Sequence, residues 1–215
     1  MIVSDRLIVL HGTKTGEKSL VLHCLSQNWG RRSFLVSLGG KTPASLFMPL
    51  SLLEAEVVEN PRSALWRLRN ISAGAPLNGI RNSPAKNVIS LFLSEVLFRV
   101  VRDGTGDAEL YDWCARNVLT LDSLEGQFAN FHLRFLLDFC AILGFGVSRE
   151  SIAPFAGAQL GHINALLEAD TAASLLLPLR GEDRSAIAEA LLRYLEHHCE
   201  YSLNIRSLAV LREIA

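Results

Sequence analysis

The hydrophobic pattern of the chain changes its period once, near residue 80. Ahead of that point, apolar residues alternate with polar ones or gather in short runs, as they do in strands. "RLIVLH" (6–11) and "KSLVLHCL" (18–25) are such runs. In 32–38, Phe34, Val36 and Leu38 face away from Ser33 and Ser37. In 50–58, Leu53, Ala55 and Val57 oppose Glu54 and Glu56, and in 64–71 Trp66 and Leu68 oppose Arg67 and Arg69. Five short strands joined by turns of Gly, Asn and Pro predict a small barrel, because closure removes exposed edges.

The stretch "SAGAPLNGIRNSP" (72–84) is a junction, and helical spacing begins after it. Ser83 is placed to cap a helix with Pro84 in its first turn. Ile89, Phe92, Leu93, Val96, Leu97, Val100 and Val101 form one apolar face, with Arg99 and Arg102 near the end and Gly104 closing it. Further helices are expected over about 108–119, 124–143 (carrying Phe128, Phe131, Phe135, Phe139 and Leu143), 183–199 and 207–214, with short helices within 145–182. The fold class is therefore α+β in two domains, a barrel over 1–76 and an all-α domain over 77–215.

Hydrophobic residues make up 49% and charged ones 20% of the 215, at a net charge of -1, which argues for an ordered globular chain. No apolar run reaches the roughly 18 residues of a membrane span. The start "MIVSDRLIVL" lacks a basic leader and reads as a strand. Cysteines at 24, 114, 140 and 199 form no CxxC pair, so reduced thiols in a cytoplasmic protein are expected, without a disulfide framework or zinc knuckle. Charge is uneven: residues 1–80 hold nine Lys/Arg against five Asp/Glu, and the remainder holds 12 against 17. A positive first part is suited to a polyanion.

"LIVLHGTKTGEKSLVL" (7–22) has the ingredients of a phosphate-binding loop but not the spacing. Such a loop needs four residues between its glycines, a Lys directly after the second, and a helix to follow. Here three residues separate Gly12 from Gly16, Glu17 intervenes before Lys18, and a strand-like run follows, so a hairpin turn carrying two lysines is the better reading. His197, His198 and Cys199 are consecutive, so a helix fans them about 100° apart, which prevents convergence on one metal. His132 beside the Phe stripe reads as a packed core histidine, and Asp138 lies in a helical context. No nucleophile–base signature or carboxylate pair stands out, and neither an enzymatic activity nor a cofactor is expected.

A barrel with basic loops suits single-stranded nucleic acid, where cations follow phosphates and aromatics stack on bases. The candidate DNA-binding set is Lys14, Lys18, Arg31, Arg32, Lys41, Arg67 and Arg69, with Trp29 and Phe34 around the Arg pair. Core packing is the preferred role for Phe34 and Trp66. The chain resembles the bacterial recombination mediator family RecO in its Bacteroidetes form. The resemblance is carried by "GRRSFLVSL", "LFMPLSLLEAEV", "LWRLRNI", "NVISLFLSEVLFRVVR", "FANFHLRFLLDFCAILGF" and "RSLAVLREI", in order over nearly the whole chain. It implies an N-terminal oligonucleotide-binding (OB) barrel and a helical C-terminal domain. It also implies a non-catalytic repair protein of the nucleoid that binds single- and double-stranded DNA, anneals complementary strands and, with RecR, helps RecA displace single-strand-binding protein. Many relatives carry a four-cysteine zinc site that this sequence lacks, so no metal is expected. In relatives the helical domain receives the acidic, Phe-ended tail of single-strand-binding protein, and Arg134, Phe135 and Leu137 are the candidate residues for it here. The small total charge leaves a second reading, a protein-interaction scaffold with weak DNA affinity.

Overall fold

The computed structural model describes residues 2–39, 43–104 and 106–214. Five strands, β1 (Ile2–Lys14), β2 (Ser19–Ser26), β3 (Gly30–Ser37), β4 (Leu52–Val58) and β5 (Leu65–Ala73), close into a barrel in the order β1-β2-β3-β5-β4. Neighbours are antiparallel except β3 and β5, and β1 completes the ring by pairing with β4. This is the OB fold. The alternating positions do what their pattern predicts: Leu7, Val9, Leu22, Cys24, Phe34, Val36, Leu53, Ala55, Val57, Trp66 and Leu68 fill the interior. "GTKTGEK" is the β1–β2 hairpin turn, with Gly16 at φ +74°, a conformation that favours glycine.

Polar groups organise the other end of that hairpin. Asp5 is buried, and its carboxylate accepts from Ser26 Oγ, from Asn28 Nδ2 (2.9 Å) and from the Arg6 N–H (2.9 Å). Ser26 Oγ in turn accepts from the Trp29 N–H at 3.0 Å. Trp29 then packs edge-on against Trp66 at the mouth of the barrel.

The chain divides into two compact units, Met1–Asp122 and Ser123–Ala215. The first adds three helices to the barrel: α1 (Asn78–Arg81), α2 (Pro84–Val100) and α3 (Ala108–Ser123). Ser83 caps α2 by accepting from the Lys86 N–H, with Pro84 at the first position. Helix α2 lies against β1, and Ile8 on the outer side of that strand is fully buried. The end of α3 holds α1 and α2 together: Asp122 accepts from the Ile80 N–H (2.8 Å) through its side chain and from Lys86 Nζ (3.0 Å) through its carbonyl.

The second unit contains α4 (Phe131–Ile142), α5 (Arg149–Ala156), α6 (Leu160–Glu168), α7 (Thr171–Leu176), α8 (Gly181–Cys199) and α9 (Ser207–Ile214). Helices α4, α5 and α9 pack on α8. The helix expected from residue 124 starts only at Phe131, because Gln127 takes a positive φ of 55° that a right-handed helix excludes. Its C-terminus matches the expectation: Gly144 (φ +90°) lets its own N–H and that of Phe145 return to the carbonyls of Ala141 and Cys140. No described helix is long and apolar enough to cross a membrane.

Candidate nucleic-acid interface

Helix α2 covers the outer side of β1 and reaches β2 through Phe98, which packs on His11 and His23, whereas further round the outer side Val21, Ser33, Leu35 and Leu65 are half-buried and Arg67 is exposed. Strand register lays rows of side chains across it. Thr13, Val21, Leu35 and Arg67 form one row, and His11, His23, Ser33 and Leu65 the next. In OB folds this face, flanked by the β1–β2 and β4–β5 loops, is where oligonucleotides lie.

Four of the seven candidate cations belong to this face or its border. Lys14 and Lys18 are exposed on either side of the β1–β2 turn. Arg67 and Arg69 project from β5, exposed, with Arg67 beside Leu35. None of the four has an ion-pair partner among the described residues. Two strand spacings, about 10 Å, separate β2 from β5, and Lys14, at the end of β1, stands one strand further away. Acids interrupt the band: Glu17 shares the turn and Glu56 lies across from Arg69.

Arg31 and Arg32 are engaged elsewhere. Arg31 Nε donates to Asp103 Oδ1 (2.9 Å), Nη1 donates to the Phe98 carbonyl (2.5 Å), and the guanidinium lies 5.1 Å from the centre of the Phe98 ring. It thus satisfies a carbonyl left open at the C-terminus of α2. Arg32 shares the inward parity of Phe34 and stacks on the Trp66 ring at 4.0 Å, with its Nε buried and unpartnered. Lys41 lies outside the described residues.

The sequence reading missed two groups at this face. Arg62 is exposed in the β4–β5 loop, beside Asn60, whose carbonyl accepts from Trp66 Nε1 at 3.1 Å. No local signal separates it from an ordinary turn residue; only the barrel topology brings its loop to the face. His11 and His23 stack at 5.9 Å, both against Phe98. Burial, reinforced by the positive charge of His11 and Arg31, holds His23 below the usual imidazole range, while Asp103 opposes the shift. His23 Nδ1 is 2.8 Å from Ser33 Oγ.

In the second unit, Arg134 sits on α4 with its Nε 2.9 Å from Asp138 Oδ2 and its Nη1 donating to the Ala169 carbonyl at 3.0 Å. Phe135 and Leu137 are buried in the helical core. Among the described residues, no three His, Cys, Asp or Glu side chains gather as a metal site.

No protein-family model matches the chain. It is similar to the DNA repair protein RecO of Bacteroides fragilis, with 35% identity over 141 residues, 64% of this chain and 58% of that protein's length. The match to DNA repair protein RecO of Phocaeicola vulgatus is 28% identical and covers 96% of each chain. That to the protein of the same name from Flavobacterium psychrophilum is 26% identical, over 100% of this chain and 99% of the relative. With matches running from end to end and a barrel in place at the N-terminus, the chain is similar over its whole length to proteins named DNA repair protein RecO.

Proposed function

We propose that the protein is a non-catalytic DNA repair and recombination mediator of the bacterial cytoplasm and nucleoid. In this reading it binds single- and double-stranded DNA on the outer face of β2, β3 and β5. It anneals complementary strands and, with RecR, promotes loading of RecA onto DNA coated by single-strand-binding protein. Residues 1–76 form the DNA-binding domain and 77–215 the helical domain. The observation that carries the reading is an OB barrel whose accessible face is bordered by Lys14, Lys18, Arg67 and Arg69, none of them committed to an ion pair among the described residues. The relatives' common name, DNA repair protein RecO, points the same way.

Uncommitted cations supply affinity for phosphate without reading bases, which suits a protein that acts at gaps of any sequence. Neutralising two strands at once lowers the repulsion that opposes their annealing. Arg31 and Arg32 contribute less directly, by holding α2 and Trp66 at the edges of the face. At Arg134 a partner's carboxylate would have to replace Asp138.

Titration of labelled single-stranded DNA at several salt concentrations tests the reading. Binding should weaken with salt, and the double substitution Arg67→Ala, Arg69→Ala should reduce the slope of log K against log salt by about 1.4, about 0.7 for each lost phosphate contact. Absence of binding at low salt, or binding indifferent to salt, defeats the DNA reading and favours the scaffold.

A further inference from the structure

Two imidazoles and a phenyl ring gather where the C-terminus of α2 meets the barrel. His11 on β1 and His23 on β2 are register partners, and their rings lie 5.9 Å apart at an angle of 20°. The Phe98 ring sits 5.4 Å from His11 and 5.0 Å from His23. His11 is exposed and His23 half-buried, so the group borders the outer face and is not part of the core. The charged groups around the pair come from β3 and from the end of α2. Arg31 lies 5.1 Å and Arg99 5.9 Å from the centre of the Phe98 ring. Asp103, just after α2, is the one acid acting on His23, and Arg31 already holds it at 2.9 Å.

This cluster titrates where lysines and arginines do not, because imidazole exchanges its proton between pH 5 and 8. With both rings protonated, His11, His23, Arg31 and Arg99 are positive against the single carboxylate of Asp103. Such crowding opposes protonation until an anion enters. At His23 burial comes first, and the positive charge of His11 and Arg31 adds to it in holding the ring below its ordinary range. A phosphate brought against the rings reverses the balance. It favours the protonated form, and the proton in turn strengthens the hold on the phosphate.

Ser33 extends the effect, since its Oγ lies 2.8 Å from His23 Nδ1. Beside a neutral ring with its proton on Nε2, the hydroxyl donates to Nδ1. Once the ring is protonated, Nδ1 donates to Ser33 and the hydroxyl proton is released to a new acceptor. The neighbouring phenyl ring matches the other half of a nucleotide, because a base stacks on an aromatic face. The row of His11, His23 and Ser33 is next to the row that ends in Arg67, so a strand following the β5 cations meets the imidazoles one row along.

We propose that His11 and His23, with Ser33 and Phe98 beside them, form a proton-coupled nucleotide subsite. The protonated rings hold one phosphodiester of a single strand whose other phosphates lie on Arg67 and Arg69, so DNA affinity rises as pH falls. The proposal rests on the DNA reading above and adds proton control to the same face. The affinity gained at low pH is lost as pH rises through the imidazole range.

The test uses the full chain and Cy3-labelled oligo(dT), whose bases do not titrate between pH 6 and 8, at one fixed ionic strength. Affinity should be about 10-fold or more higher at pH 6 than at pH 8, the size of one charge-assisted contact. His11→Gln, at an exposed position, should reduce that ratio, and His11→Gln combined with His23→Gln should abolish it. Arg67→Ala with Arg69→Ala should weaken binding at both pH values and keep the ratio. Calorimetric titration at pH 7 in two buffers of different ionisation enthalpy should show proton uptake on binding by the parent and none by the double histidine variant. Thermal midpoints at pH 6 establish that each variant is folded in the assay. If the double histidine variant does not fold, His11→Gln decides, and a ratio equal to the parent's overturns the proposal. Binding equally tight at pH 6 and pH 8, or a ratio that survives in the folded double variant, overturns it while the DNA reading stands. Absence of binding at both pH values and low salt overturns both.

Discussion

Asp5 is a carboxylate almost removed from water and surrounded by donors. Burial raises its pKa, and the hydrogen bonds from Ser26, Arg6 and Asn28 pull it back down. Its replacement by Ala leaves the buried Ser26 hydroxyl without its acceptor and removes the bonds from Asn28 and the Arg6 N–H, so Asp5→Ala should lower stability by about 2 kcal/mol. The check is a urea unfolding midpoint that falls at unchanged m-value. His132 gives the pH prediction. Burial, with the positive charge of Arg184 second, pushes its pKa down to about 3, from the ordinary 6.5. Between those values the unfolded chain binds the proton and the folded one refuses it. This stability is therefore present in full above pH 6.5 and is lost as pH falls, by at most about 1.4 kcal/mol per pH unit. The depressed His23 acts in the same direction. Thermal midpoints measured from pH 7 to pH 5 should fall, and His132→Leu should flatten that slope.

Among the elements, α1 and α3 meet through bare backbone. A Cβ placed on Gly79 would lie 1.9 Å from the Asp122 carbonyl oxygen, so one of the two backbones must move to admit it. Gly79→Ala should cost roughly 3 kcal/mol, read from a thermal or urea midpoint. In the sequence this glycine is one of two in a loose junction, and its role comes from a residue 43 positions away. Arg31 and Arg32 show the same limit. Their charge and position on a strand are plain from "GRRSF", but their partners, Phe98, Asp103 and Trp66, are distant in the chain. For Arg67 and Arg69, by contrast, alternation with Trp66 and Leu68 was enough to place them outside the barrel.

At the scale of the whole molecule the two units differ in charge: Lys/Arg exceed Asp/Glu by 3 over residues 1–122 and fall short by 4 over 123–215. Phosphate affinity should follow that division. A fragment of residues 1–122 should retain salt-dependent binding of single-stranded DNA, while 123–215 should not bind at low salt. Electrophoretic mobility shift or fluorescence anisotropy at two salt concentrations checks both.

Sequence by itself determined the strands, the inward and outward sides of each, the change to helices and the ends of α2 and α9, because these depend on period-2 and period-3.6 patterns and on caps within a few residues. It placed the turn lysines and the β5 arginines at the surface for the same reason. Tertiary structure alone decided that β3 pairs in parallel with β5, that α2 covers β1, and that Arg31 ends in a helix cap. It also brought the loop of Arg62 to the accessible face and left Met48 and Leu91 facing an open groove. Each of those outcomes depends on which surfaces meet after the chain closes on itself, and no local pattern encodes the partner across such a distance.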